Sequence, residues 1–235
     1  SLIGKPLARR YVRPHLGTVK VAPSTERAVT TWIETPTGGR ARGPRGLMRA
    51  WFEILRRPRR FFSNGVAPGD QAPGLIFAVL VVTGYLSIRF LLSPATIPLE
   101  TGRPVVSGTL TVLLAAVIVA PRVLHLTSAL QTIIMIAAVP DRAGVSEAVQ
   151  VVAYATAPCL LAGLPLPGVR VLLAAWGFGL LCVGMATVHE LSLAKAVLVT
   201  LVPGLLLFGY GFGGIGAAEM LGGLDLVGLP PERAG

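Results

Sequence analysis

Val105-Val106-Ser107-Gly108-Thr109-Leu110-Thr111-Val112-Leu113-Leu114-Ala115-Ala116-Val117-Ile118-Val119-Ala120 opens an apolar run that continues to Val139, broken only by Pro121, Arg122 and His125. A straight helix over the whole run would be about 52 Å long, against a hydrocarbon core of ~30 Å. Two separate spans would have only about 16 residues each, short of the roughly 20 a crossing needs. The length therefore favours one span over about 105–125, kinked at Pro121, with Arg122 and His125 reaching the inner interface. In the continuation, 126–139, Leu126, Leu130, Ile133, Ile134 and Ala137 share one face. Thr127, Ser128, Gln131 and Thr132 share the other, so this segment is expected to leave the membrane core along its inner surface.

On either side lie further apolar stretches. The sequence predicts an all-α, integral membrane helical bundle of about five transmembrane helices, preceded by an interfacial amphipathic helix. The expected spans are about 74–92, 105–125 with its extension to 139, 147–164, 169–188 and 195–212. Arg89 lies three residues, or ~4.5 Å, from the end of the first span, close enough to snorkel. Pro140-Asp141-Arg142-Ala143-Gly144 is a turn, and Ser146 is placed to cap the next helix. Residues 213–235 are expected to form a loose tail. Six spans remain an alternative: either count places three of the seven basic residues beyond position 62 inside, so helix length alone favours five.

The chain is 53% hydrophobic and 14% charged, with mean hydropathy +0.70. Soluble domains carry about 25% charged residues. Residues 1–62 hold fourteen basic groups and three acidic ones, a net +11, whereas the rest is nearly neutral. This basic head fits an N-terminus held in the cytoplasm by the positive-inside rule; nucleic-acid binding is disfavoured because no such module is visible. Residues 1–45, rich in Gly, Pro, Thr and Arg, are expected to be a flexible basic arm. The native start is expected at Val29, with 1–28 outside the native protein. Both cysteines, Cys159 and Cys182, lie in apolar runs without metal-ligand spacing.

Residues 46–62 form the expected interfacial helix. Leu47, Trp51 and Leu55 recur every four residues, Met48 and Phe52 widen the stripe, and Arg49, Glu53, Arg56 and Arg57 provide the polar side. Pro58 ends the helix and Arg59-Arg60-Phe61 follows. Aromatic rings at the headgroup boundary and guanidiniums on anionic lipid would suit the membrane surface. Trp51, Phe52, Arg56, Arg57, Arg59, Arg60 and Phe61 are thus expected to touch lipid or a partner.

No catalytic set emerges. Gly209-Tyr210-Gly211-Phe212-Gly213-Gly214 matches G-x-G-x-x-G, but it ends a transmembrane run and Glu219 and Asp225 come too early for a ribose contact. Gly209, Gly211 and Gly213 are better explained by close helix packing. His189-Glu190, even with His125, is not a ligand set for zinc. No catalytic, cofactor-binding or metal residue is assigned, and no cofactor is expected. The middles of the spans lack Asp, Glu, Lys and Arg, which argues against an ion-coupled carrier.

The ordered pattern of motifs resembles the Yip1-domain family of small polytopic membrane proteins, in particular its prokaryotic branch. Arg57-Pro58-Arg59-Arg60-Phe61-Phe62 resembles the segment before that family's first span. A long second span with an inner-face His (His125) precedes a short turn containing Gly. Ala153-Tyr154-Ala155-Thr156-Ala157-Pro158 with Pro165 resembles its third span, and Val188-His189 with Lys195-Ala196 its last join; Tyr154, Pro158, Pro165 and His189 are the family-like positions. The Arg bias and the Thr-Thr-Trp leader are similar to haloarchaeal members. The resemblance covers about 46–212 and implies a five-span domain in the cell membrane with a cytoplasmic N-terminus. The Asp-Leu-Tyr-Gly-Pro motif of eukaryotic relatives that bind Rab-type GTPases is not found here.

Function is expected to be non-enzymatic: a membrane scaffold or organising protein whose partners are the bilayer and another membrane protein or a second copy. The alternative is a small permease or permease subunit. An enzyme using His125 and His189 would need those rings in near contact.

Overall fold

The computed structural model describes residues 31–34, 40–98, 102–139 and 143–222. Val29, most of the arm, the turn at 140–142 and the tail from 223 lie outside the described residues. A two-stranded antiparallel ribbon, β1 (Thr31–Glu34) and β2 (Arg40–Arg42), leads into the helices. The helices are α1 (Gly43–Arg56), α2 (Pro58–Gly65), α3 (Ala72–Leu92), α4 (Pro104–Ala138), α5 (Val145–Leu161), α6 (Pro167–Val188), α7 (Leu193–Gly211) and α8 (Gly214–Gly222).

From α3 to α7 the chain passes back and forth between two ends of an all-α membrane bundle. At one end the α2–α3, α4–α5 and α6–α7 connections meet. Gln150 clamps Ala67 reciprocally, accepting from its N–H at 3.1 Å and donating to its carbonyl at 2.7 Å. Gly69 N–H donates to Ser146 Oγ at 2.8 Å, and Ala143 N–H to His189 Nδ1 at 3.1 Å. Ser146 therefore ties two loops together instead of capping α5, whose N-cap is Gly144. At the opposite end Arg170 holds the α5–α6 turn through the Ala162 carbonyl at 3.0 Å.

Four passes, α3, α4, α6 and α7, are long and apolar enough to cross a membrane. Their outward faces are apolar: Leu80, Val117, Leu172 and Leu198 are exposed as a lipid-facing surface requires. The α5 pass, only 17 residues, lies inside them, with every residue from Ala148 to Cys159 buried. It can be short because the other helices, not lipid, surround it. Gly163, just beyond it, lets α5 approach α3 closely: a β-carbon there would run into the Tyr85 carbonyl and come within 2.9 Å of the Arg89 nitrogen.

Residues 104–138 are one helix of 35 residues. It contains a π-turn, Ala115–Val119, immediately before Pro121, and Ala120 N–H reaches back five residues to Ala115 O. The wider turn accommodates a proline that can neither donate nor sit tightly on residue 117. Beyond Pro121 the expected orientation is inverted. Thr127, Ser128 and Gln131 are buried, whereas Leu126, Ile133 and Ile136 are exposed. The polar face of 126–138 packs against the bundle and its apolar face points outward. Such a face suits lipid, so the segment does not sit polar-side-out along an aqueous surface.

The inward polar face has a structural purpose. Pro203 lies inside α7 and cannot donate to the Val199 carbonyl four residues before it. Gln131 Nε2 donates to that carbonyl at 3.1 Å from α4, with the Gln131 side chain fully buried. Nearby, Thr200 Oγ1 pairs with Cys182 Sγ at 3.2 Å across α6 and α7. The expected loose tail is ordered in part: α8 packs on α6, with Ala217 buried. A β-carbon on Gly214 would stand 2.7 Å from the Ala174 methyl, so glycine permits the contact.

Candidate functional site

Residues 46–62 form two helices, broken at Arg57-Pro58 as the proline dictates. Both are docked on the bundle. The buried line of α1 is Gly46, Ala50 and Ile54, flanked by Leu47, Trp51 and Leu55 against the core. Trp51 Nε1–H donates to the Ala157 carbonyl at 2.9 Å, where α5 tightens into a 3₁₀ turn. Phe61 and Phe62, each only 1% exposed, are driven into the core from α2. Phe61 meets the Tyr154 ring edge-on with centroids 4.9 Å apart, and Phe77 of α3 meets the same tyrosine at 5.2 Å. Such aromatic contacts add ~0.5–1.5 kcal/mol each beyond the area they bury.

Trp51 and Phe61, expected at the lipid surface, thus face the protein. The physical reason is docking of both helices: Ala50 and Ile54 bury one face of α1, Trp51 bonds the 3₁₀ turn of α5, and Phe61 packs on Tyr154. Phe52 and Met48 are the apolar residues left outside, 44% and 54% exposed. Arg49, Arg56, Arg57, Arg59 and Arg60 are all exposed.

These exposed residues form an open groove of about 400 Å³ lined by Arg49, Phe52, Glu53, Arg56, Arg57 and Arg60. Arg60 Nε pairs with Glu53 Oε1 at 3.2 Å, and the Arg56 guanidinium lies 5.5 Å from the Phe52 ring centre. Among the described residues that line it, four guanidiniums face one carboxylate, a local charge of +3. Guanidiniums in this density, beside an exposed ring, can bind phosphate oxygens bidentately while the ring rests among acyl or headgroup atoms. Arg59 does not line this groove; it lies beside Val183, Thr187 and Leu193.

The family-like positions are structural. Tyr154 is the fully buried ring that joins α2, α3 and α5. Pro158 lies in the 3₁₀ turn of α5, and Pro165 is exposed in the turn that follows. His189 is buried where α6 ends and accepts from Ala143. His125 is exposed on α4 with Nδ1 2.7 Å from the Pro121 carbonyl of its own helix. Among the glycines, Gly213 adopts φ +71° and reverses the chain between α7 and α8. Gly209 is buried, and a β-carbon there would crowd Ile215 Cδ1 at 2.7 Å; Gly211 has ordinary room. Sequence reasoning missed Gln131, Gln150 and Gly163. Each contacts a backbone far away in sequence, and the one sequence signal was the polar face that Gln131 shares with Thr127, Ser128 and Thr132.

A bundle with these passes and outward apolar faces is a multi-pass helical membrane protein in contact with lipid. A family model for the Yip1 domain matches residues 52–215. The chain belongs to the Yip1-domain family. No curated protein and no solved structure matches it.

Proposed function

We propose that this protein is a non-catalytic membrane scaffold. On this reading all five passes lie in the cell membrane, and the α1–α2 pair sits at its cytoplasmic face. The groove of Arg49, Arg56, Arg57 and Arg60 engages anionic headgroups or an acidic partner there. The observation that carries the reading is the groove, net +3 over its described lining residues, on a helix pair stapled to the bundle by Trp51 and Phe61. A fixed basic face holds lipid or a partner at a set angle to the bundle, which a loosely tethered arm does not. Juxtamembrane basic residues contribute about 1 kcal/mol each near an anionic surface.

The test is to change Arg49, Arg56, Arg57 and Arg60 to Gln together and cross-link native membranes. Co-purifying partner or anionic lipid should fall at least tenfold while the protein stays folded. Unchanged recovery of both would rule the groove out.

A permease remains the second reading, favoured by the proline-bearing passes α4, α5 and α7. The π-turn before Pro121 and the Gln131 bond below Pro203 answer two of these prolines by packing. Solute uptake by reconstituted liposomes, abolished by Pro203→Ala, would favour transport over scaffolding.

A further inference from the structure

Three helix irregularities converge on one void. The α4 π-turn contributes Ala115 and Val119, and the α7 π-turn (Leu205–Gly211) contributes Leu207 and Gly211. Thr156, where α5 leaves the α conformation, closes the back. Tyr85 of α3 lines the same cavity, whose volume is about 220 Å³. Its wall is almost wholly hydrocarbon. The Thr156 hydroxyl already donates to the Ala153 carbonyl at 2.6 Å, and Tyr85 Oη accepts from Arg89 Nη1 at 3.2 Å.

A half-open apolar cavity of this size favours hydrocarbon over water, which would find almost no polar partner on its walls. π-Turns are frequent at functional sites; the one in α4 accommodates Pro121, and it and the one in α7 widen the bundle on either side of the same cavity. Arg89 stands one turn outward from Tyr85 on α3. Its Nε donates to Thr96 Oγ1 at 3.3 Å and its Nη1 to Tyr85 Oη. Both partners are neutral hydroxyls, and among the described residues no carboxylate pairs with this guanidinium. A cation bonded to Tyr85, a wall residue of this apolar cavity, matches one chemistry: phosphate beside the guanidinium, hydrocarbon within the cavity.

We propose that the cavity between α3, α4 and α7 holds one acyl chain of an anionic phospholipid, whose phosphate is bound by Arg89. The site lies on a different part of the molecule from the α1–α2 groove and is independent of it. Gly211 and Val123 are at its rim, where a larger side chain has room to enter. Gly211 has negative φ and meets only ordinary contacts at the β-carbon, and Val123 is partly exposed.

The protein is reconstituted into liposomes of phosphatidylcholine and phosphatidylglycerol containing a phosphatidylglycerol probe with a diazirine on its acyl chain. After photolysis, labelled residues are mapped by mass spectrometry. Enrichment is expected at cavity residues such as Leu124 and Phe212 over outward positions of α4 such as Leu126 and Ile133. Gly211→Leu, or Val123→Trp if the first fails to fold, should cut cavity labelling at least tenfold and leave the outward labelling unchanged. Arg89→Gln should cut it about fivefold for this probe and little for a diacylglycerol carrying the same chain. The Gln variants of the α1–α2 arginines should label the cavity as the wild type does. Even labelling of cavity and outward positions, or cavity labelling unaffected by both filling variants, would overturn the proposal. Equal loss with both probes in Arg89→Gln would overturn the headgroup part.

Discussion

Replacing Gln131 by Leu should destabilise the bundle, and replacing Pro203 by Ala should remove that penalty. Gln131 Nε2 is the donor to the Val199 carbonyl, the one that Pro203 leaves without its helical partner. Leucine fills nearly the same volume without the donor. Orphaning a buried carbonyl costs about 1–3 kcal/mol. Interhelical hydrogen bonds in membrane proteins average ~0.6 kcal/mol and reach ~1.7. Part of the loss is offset, because the substitution also removes Gln131 Oε1, a buried oxygen without a hydrogen-bond partner. The expected net cost is about 1 kcal/mol, roughly fivefold in the unfolding equilibrium. In a Pro203→Ala background the alanine N–H can bond Val199 itself, so Gln131→Leu should then cost close to nothing. A double-mutant cycle should give a coupling of about 1 kcal/mol. The assay is reversible unfolding in mixed micelles, followed by circular dichroism for all four proteins. Equal costs of Gln131→Leu in both backgrounds would refute the link between this side chain and the proline.

Trp51→Phe keeps most of the ring and deletes the bond to Ala157, so it should cost about 1–2 kcal/mol in the same unfolding assay. Phe61→Ala empties a fully buried aromatic site against Tyr154 and should cost about 3–5 kcal/mol, read as a large drop in melting temperature. Gly163→Ala presses a methyl on the α3 backbone, which cannot step aside as a side chain can. A loss of about 1–3 kcal/mol is expected, with Gly211→Ala nearly neutral as its control. Exchanging Gln150 for Leu should loosen the α2–α3 loop, seen as faster amide exchange at Ala67 with little change in the centre of α6.

The bundle was legible in the sequence because uncharged apolar runs of span length are the mark of helices that cross a bilayer. The break at Pro58 and the outward arginines also followed from local chemistry. Orientation was harder. The spacing of Thr127, Ser128 and Gln131 shows a polar face, but the same pattern describes a helix wet on that face and one in lipid that hides it. The neighbour decides, and Val199 is distant in sequence. In α1, apolar residues occur on both Leu47-Trp51-Leu55 and Met48-Phe52. The stripe alone did not show that the small Gly46 and Ala50 mark the docking line. The helix Gly214–Gly222 was hidden by its glycines, which read as loop until α6 is seen to need their small size.

The most direct test of a docked, outward-facing basic helix is cysteine accessibility along α1 in sealed membrane vesicles of known orientation. Native Cys159 and Cys182 are buried, so they should contribute little background. Single cysteines at positions 49, 52 and 56 should react with a membrane-impermeant maleimide added on the side that carries α1, and those at 50 and 54 should not. Uniform reaction around the helix, or protection of 52 with reaction at 54, would contradict docking through Ala50 and Ile54.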